Sequence, residues 1–173
     1  MPVSEEPARL IIQDLQSEVS IAAMFNPNEL KRRVNVNYGR KAVLGNSHLE
    51  HEYLQTDNQQ IQFDLFFLAE SPGDLAVLKD AVNFLESLCY GPEDPDSISQ
   101  AAPPRCLVLW PRTMSIVARL TSVEFVHQRW NRFGDTTQVT IRTTWEESRV
   151  TRLRQTDVRN FGALRPRENQ GSE

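Results

Sequence analysis

The densest group of residues that could bind a metal is the run His48-Leu49-Glu50-His51-Glu52, which holds two imidazoles and two carboxylates. On a helix, His48 and Glu52 would share one face. On a strand, His48 would face away from His51. Neither geometry gathers all four ligands, whereas structural zinc sites use four. The sequence therefore favours a solvated polar segment here and predicts no metal site.

Catalytic side chains do not form a recognisable group elsewhere in the sequence. His127 lies near the end of a predicted strand, without a GxSxG motif or another nucleophile setting to pair with it. Glu146 and Glu147 are consecutive in a strand, so their carboxylates face opposite ways and cannot act as an acid–base pair. No GxGxxG or P-loop motif offers a phosphate cradle. We predict that the protein is not an enzyme and binds no cofactor.

The composition of the chain narrows the classes of protein to which it could belong. The chain has 173 residues, of which 39% are hydrophobic, as expected for one core. Its net charge of -4 lacks the basic excess that nucleic-acid binding usually needs. The acidic start, MPVSEEPARL, is unlike a signal peptide, and no apolar run approaches the about 18 residues of a membrane span. We expect assembly in the cytoplasm, no nucleic-acid partner and no membrane binding by this chain.

Alternating apolar residues predict strands in the first part of the chain. They recur over 19–25, which forms an opening hairpin with residues 10–12, and over 59–68. A strand over 30–38 has the same alternation. Its predicted buried face holds Leu30, Val34, Val36 and Tyr38, and its polar face holds Lys31, Arg33, Asn35 and Asn37.

One helix is predicted at about 72–89, because apolar residues recur there at spacings of three and four. Ser71-Pro72 supplies an N-cap and a first-turn proline, and Gly91-Pro92 ends the helix. The proline-rich segment 91–104 that follows has few apolar residues and predicts a surface loop.

Two long strands follow the loop and a shorter strand, 106–110. In the first, 113–127, the apolar positions shift phase after Leu120, which predicts a bulge near Thr121. The turn 131–135 leads into a return strand that ends at about Trp145. Its polar row holds Gln138, Thr140, Arg142 and Thr144.

The last residues, 149–173, contain too few apolar residues to fold alone. We predict a domain at 1–148 and an arginine-rich tail at 149–173 that docks on a partner. The proposed docking residues are Arg149, Arg152, Arg154 and Arg159.

Several short motifs occur in an informative order: FNPNE at 25–29, IQFDLFF at 61–67, PP at 103–104, LVLW at 107–110 and FGD at 133–135. In this order, over roughly 19–147, they resemble the tube-type domain of contractile injection systems, a family related to the tail-tube and tube-initiator proteins of contractile phages. The chain lacks the LysM module that follows this domain in many relatives. It also has Pro111 where the family tends to have glycine.

The resemblance implies a mainly β (α+β) fold, an antiparallel β-barrel or sandwich of tail-tube type with long hairpins and one flanking helix. It implies a homo-hexameric ring that stacks on neighbouring rings, the spike or hub and baseplate proteins, in a phage-tail-like particle, without catalysis. The tail and the proline-rich loop favour a tube-initiator adaptor over the main tube subunit. Cell-wall binding is not implied, because the LysM module is absent.

The two polar rows would be an edge-pairing hazard in a monomer, and closure into a ring would remove that hazard. We therefore expect both rows to line a channel or a subunit interface. Two alternatives remain open at this stage. One is a small β-barrel that binds a ligand or acts as an enzyme in its mouth, and the other is a module that binds one partner through the arm 149–173.

Overall fold

The computed structural model describes residues 8–42, 48–92 and 102–148. Two antiparallel sheets and a helix occupy these ranges. A seven-stranded sheet has the order β2-β1-β7-β8-β9-β6-β3, and β4 and β5 form a separate two-stranded sheet. The elements are β1 (Ile11–Asp14), β2 (Ser20–Ala22), β3 (Leu30–Arg33), β4 (Val36–Lys41), β5 (Glu50–Thr56), β6 (Gln60–Leu68), α1 (Pro72–Ser87), β7 (Cys106–Trp110), β8 (Met114–Trp130) and β9 (Thr136–Glu147).

Helix α1 confirms the prediction from the apolar spacing. The Ser71 hydroxyl accepts a hydrogen bond from the Asp74 amide at 3.2 Å, and the Asp74 carboxylate accepts one from the Ser71 amide at 3.0 Å. This capping box satisfies amides that would lack a helical partner. Leu78, Ala81 and Leu85 are buried in the hydrophobic core, so the helix covers one face of the large sheet.

The core lies between that sheet face and α1. Alternate residues of β6 and β9 are buried, as the period of two requires. The rings of Phe63 and Trp145 stack within it, with centroids 6.2 Å apart and planes 9° apart. Trp145, Phe67, Ile61 and Ile141 are among its largest fully buried side chains.

A buried hydroxyl satisfies the polar groups of this core. Thr143 Oγ1 donates to the Phe63 carbonyl at 2.9 Å and accepts from Trp145 Nε1 at 2.9 Å. Because an unpaired indole N–H costs free energy in an apolar interior, Thr143 allows Trp145 to be completely buried.

The bulge predicted near Thr121 is confirmed. The register between β8 and β9 shifts between Leu120 and Ser122, and the Thr121 hydroxyl donates to the Thr144 carbonyl at 3.0 Å. The shift lets Leu120 and Val123 both face the core across the change of phase.

A tight turn joins β7 to β8 at Pro111, the position where the sequence departs from the family. The Thr113 amide donates to the Trp110 carbonyl at 2.9 Å. Arg112 has a φ of 64°, the left-handed conformation that glycine adopts most easily. The turn therefore forms with proline present, and the left-handed backbone falls on an arginine.

The single strand predicted over 30–38 is wrong. β3 ends at Arg33, and β4 begins at Val36 and pairs with β5, a strand that the sequence analysis missed. The residues expected on a buried face, Val34, Val36 and Tyr38, are 45–56% exposed. The reason is that β4 leaves the large sheet, so the β4–β5 hairpin lies beyond the core.

The closed barrel is also not formed by the described residues of one chain. The mainly β class with one helix is confirmed, but the large sheet is open, with β2 at one edge and β3 at the other. No helix among the described residues is long and apolar enough to span a membrane. Residues 93–101 of the predicted loop and the whole tail 149–173 lie outside the described ranges.

Substitution of Thr143 tests the buried hydrogen-bond relay. We expect Thr143→Val to lower the free energy of unfolding by about 1–3 kcal/mol, because the Trp145 N–H loses its acceptor. Urea denaturation followed by tryptophan fluorescence measures this change. Thr144→Val, on the opposite face of the same strand, is the matched control and should change stability by less than about 0.5 kcal/mol. Equal effects of the two variants would contradict the role of Thr143.

The capping box predicts that the stability of the protein depends on pH. Hydrogen bonds from Ser71 hold the pKa of Asp74 below its usual value. A lowered folded-state pKa adds stability above the unfolded-state pKa, and this stability is lost as the pH falls through the folded-state value. The difference in unfolding free energy between the protein and Asp74→Asn should therefore be largest near neutral pH and shrink in acid. Denaturation at several pH values measures it, with Asp80→Asn on the exposed side of α1 as control.

Candidate assembly surface

The face of the large sheet opposite the core is polar and brings together six of the eight residues predicted to line a channel or interface. Lys31 pairs with Gln62, and Gln62 pairs with Thr144, so one row crosses β3, β6 and β9. The other predicted residues follow the same alternation. We call this surface the polar face: Lys31, Arg33, Gln60, Gln62, Asp64, Ser122, Glu124, Gln128, Gln138, Thr140, Arg142 and Thr144.

Arg142 is the central charge of the polar face. Its Nη1 lies 2.9 Å from Glu124 Oε2 on β8, and its Nε lies 3.9 Å from Asp64 Oδ2 on β6. The hydrogen bond and charge of Glu124 raise the pKa of Arg142. Since all three side chains are more than half exposed, these pairs add little to fold stability.

Uncharged side chains complete this pattern. Gln138 Nε2 donates to Gln128 Oε1 at 2.7 Å across the neighbouring strands. Charged and amide side chains at the centre of this face thus pair with one another across β6, β8 and β9.

The remaining two predicted residues lie away from the polar face. Asn35 follows β3 and accepts a hydrogen bond from Arg33 Nε at 3.1 Å. Asn37 belongs to β4 and donates to Asp57 Oδ1 at 2.8 Å. They stand at the joint between the large sheet and the β4–β5 hairpin, beside a polar cavity of about 440 Å³ that Asn35 and Asp57 help to line.

The outer edge of β2 presents backbone N–H and C=O groups that do not bond to β1. The Ala23 amide donates to Leu10 at 2.8 Å, and the Asp14 amide donates to Val19 at 2.9 Å. Because hydrogen-bonded pairs alternate in an antiparallel ladder, Ile21 is also bonded to β1. The N–H and C=O groups of Ser20 and Ala22 therefore point away from the sheet. At the opposite edge, β3 has the basic sequence LKRR.

The candidate metal run is exposed on the β4–β5 hairpin. Residues 50–52 begin β5, and His51 packs edge-on against Tyr38 with ring centroids 6.2 Å apart. Within the described part of the chain, no group of three metal-ligating side chains is found. The structure thus places His51 in an exposed aromatic cluster.

The catalytic candidates remain separated. His127 is exposed on β8, while Glu146 and Glu147 lie on opposite faces of β9. Glu146 accepts a hydrogen bond from Asn58 at 3.3 Å. This geometry matches the expectation that the two consecutive carboxylates do not act together.

Sequence reasoning missed two parts of this surface. Asp64 and Glu124, the partners of Arg142, could have been found from the alternation that sets them opposite the buried residues of their strands. The β4–β5 hairpin gave no such signal, because all residues of β5 are exposed. The predicted docking residues Arg149, Arg152, Arg154 and Arg159 lie outside the described ranges.

The match to a family model agrees with the sequence motifs. The family model of the contractile injection system tube protein matches residues 11–156. A chain of the native gene transfer agent virion is similar in structure, with a TM-score of 0.40 and 14% identity over 83% of this chain and 92% of that one. A chain of the six-fold symmetrised anti-feeding prophage baseplate gives a TM-score of 0.36 and 12% identity, over 86% and 95%. No curated protein matches the sequence significantly.

The family match spans the strands that build the open sheet, including the whole of β1 to β9. It therefore covers both sheet edges and every residue of the polar face. The chain belongs to the contractile injection system tube protein family.

Proposed function

We propose that the chain forms a homo-hexameric ring of the inner tube or tube initiator that joins the spike or baseplate hub to the tube, and that it catalyses no reaction. The observation that carries this proposal is the open sheet with one polar face. In a chain of the tube family, such a sheet supplies both an edge for neighbouring subunits and a hydrated wall.

Pairing of β3 with β2 of the next subunit would close the ring. The two edges lie at opposite ends of the same sheet and have similar lengths, four and three residues. A contact between different surfaces of identical subunits forms a ring when its rotation closes. The barrel implied by the sequence resemblance would then form between subunits, and the exposed edges would disappear.

The polar face would line the lumen of this ring. Its charges are nearly balanced, with three positive and two negative side chains: Lys31, Arg33, Arg142, Asp64 and Glu124. Asn35 and Asn37, at the base of the hairpin, would lie at a subunit interface beside the lumen. A balanced, self-paired wall lets cargo pass without strong electrostatic binding.

The adaptor role rests on the arginine tail. Guanidinium groups pair bidentately with carboxylates and tolerate partial burial, so Arg149, Arg152, Arg154 and Arg159 suit docking on an acidic surface of an adjacent baseplate component. The ring would assemble in the cytoplasm and then remain part of the injection particle.

Blocking the outward amide of β2 tests the lateral contact. We expect Ala22→Pro to leave the isolated fold intact, because this N–H does not bond to β1, and to prevent ring formation. Ala22→Val keeps the amide and is the matched control. Electron microscopy of particles assembled with each variant measures ring incorporation. Rings formed equally by both variants would contradict pairing through β2.

Imaging of the native particle tests the position and the symmetry. With a small label at the C-terminus, electron cryomicroscopy should show one six-fold ring between spike and tube. A label along the entire tube would instead identify the main tube subunit. Absence of the chain from the particle would contradict the proposal and favour a ligand-binding or single-partner module.

A further inference from the structure

The turn between β8 and β9 exposes two large aromatic side chains. We call residues 129–135 the aromatic tip. Trp130 is 62% exposed and Phe133 is 76% exposed. The Arg132 guanidinium lies over the Phe133 ring, 4.7 Å from its centroid. Tryptophan and arginine are the residue types that most often dominate the energy of protein interfaces.

Hydrogen bonds hold the tip in one conformation. Asn131 Oδ1 accepts from the amides of Phe133 at 2.8 Å and Asp135 at 2.9 Å. The Asn131 amide also donates to the Asp135 carbonyl across the turn at 2.9 Å. Gly134 has a φ of 88°, which a residue with a side chain adopts only with strain.

Two further features fix the direction of the tip. Lys79 on α1 donates to Asp135 Oδ1 at 2.8 Å, which ties the turn to the helix. Arg129, directly before Trp130, has a φ of 54° in the left-handed region. Strain of this kind persists where surrounding structure enforces it and is concentrated at functional sites. The backbone of the tip therefore has little conformational entropy left to lose on binding.

A cleft on the same molecule has complementary chemistry. It has a volume of about 520 Å³ and lies between the segment 25–29 and the polar face of β6. The rings of Phe25 and Phe66 pack with centroids 5.6 Å apart in its wall, and Phe25 is 49% exposed. We call it the Phe25–Phe66 cleft.

Charge distinguishes the cleft from the tip. Glu29 and Asp64 both line the cleft, with Lys31 as a counter charge 3.4 Å from Glu29. Asp64 is paired only loosely, since its partner Arg142 lies 3.9 Å away and is closer to Glu124. A carboxylate thus stands beside an exposed aromatic pair.

The tip carries the opposite charge. Arg129 and Arg132 are both exposed, while Lys79 is matched by Asp135. An arginine stacked on an aromatic ring can enter a cleft with aromatic residues in its wall, together with that ring, and pair with a carboxylate that lines it.

The tip and the cleft of one chain cannot meet. Thr140 lines the cleft, and β9 runs four residues from it to Thr136 before the tip begins. Trp130 pairs with Thr136, so at about 3.3 Å per residue it lies roughly 13 Å from Thr140, and Phe133 lies further away in the turn. The occupant must therefore come from another molecule.

We propose that the aromatic tip of one copy inserts into the Phe25–Phe66 cleft of a second copy. Phe133 packs against the Phe25 and Phe66 rings, and Arg132 pairs with Asp64. The contact joins different surfaces of two copies, so it can repeat from one copy to the next. The cleft borders the edge strand β3 at Lys31, but the contact uses no backbone hydrogen bond of either sheet edge and does not require the lateral pairing of β2 with β3.

Cross-linking of the full chain tests this contact directly. In a Cys89→Ser background, Thr136→Cys at the base of the tip and Asn28→Cys in the cleft are placed on separate chains and treated with a short bismaleimide. Burial raises the pKa of Cys106 to about 12, so that thiol stays unreactive near neutral pH. We expect the heterodimer to form at least tenfold faster than with Glu86→Cys on α1 as the partner. Equal rates would overturn the proposal.

A second measurement uses variants that keep both cysteines. Trp130→Ala combined with Phe133→Ala should weaken self-association at least tenfold in sedimentation at high protein concentration. Tyr90→Ala, which removes a 65% exposed aromatic residue from another surface, is the matched control and should have no effect. Unchanged self-association of the double variant would overturn the contact. If the double variant still self-associates but is lost from the particle, the tip binds a different partner protein.

The outcomes distinguish a failure of the contact between tip and cleft from a failure of the proposed ring. If rings form but the cross-link between tip and cleft does not, only the inference fails. If Ala22→Pro abolishes rings while the cross-link remains, the inference stands and its independence from lateral pairing is shown.

Discussion

The alternation of side chains along β9 is the constraint on which the rest of the structure depends. The residues buried on one side, from Val139 to Trp145, form the core with α1, and the residues between them form the centre of the polar face. One strand therefore fixes both the packing that stabilises the fold and the chemistry that a neighbour or a lumen would meet. Because successive side chains point to opposite faces, a shift in the register of β9 changes both faces at once.

The sequence predicts well where a pattern is imposed by burial. The long strands, the helix with its capping box and the bulge near Thr121 all follow from apolar spacing and turn residues, because each buries a continuous stripe. Six of the proposed interface residues reach one face for the same reason.

The pattern fails where the chain leaves the core. Val34, Val36 and Tyr38 alternate as a half-buried strand would, yet they are exposed, and β5 has no apolar stripe that could reveal it. Two-stranded hairpins are marginally stable alone, and further contacts stabilise them. In one sequence, an alternating pattern whose apolar residues stay exposed is indistinguishable from a pattern that serves the chain's own core.

The phase change of β8 has a consequence for how the sequence can vary in length. On both sides of the register shift between Leu120 and Ser122, the strand presents its apolar side to the same core. Thr121 is the extra residue of the bulge, so its deletion would leave Ser122 paired with Thr144 and every later residue on its present face. Deletion of Val123 would instead move every later residue to the other face, so that Glu124 would face the core. Insertions in the β4–β5 hairpin carry no such penalty, since that hairpin pairs only with itself among the described residues. Length variation among relatives should therefore concentrate in the hairpin and avoid the paired stretches of β8 on either side of Thr121.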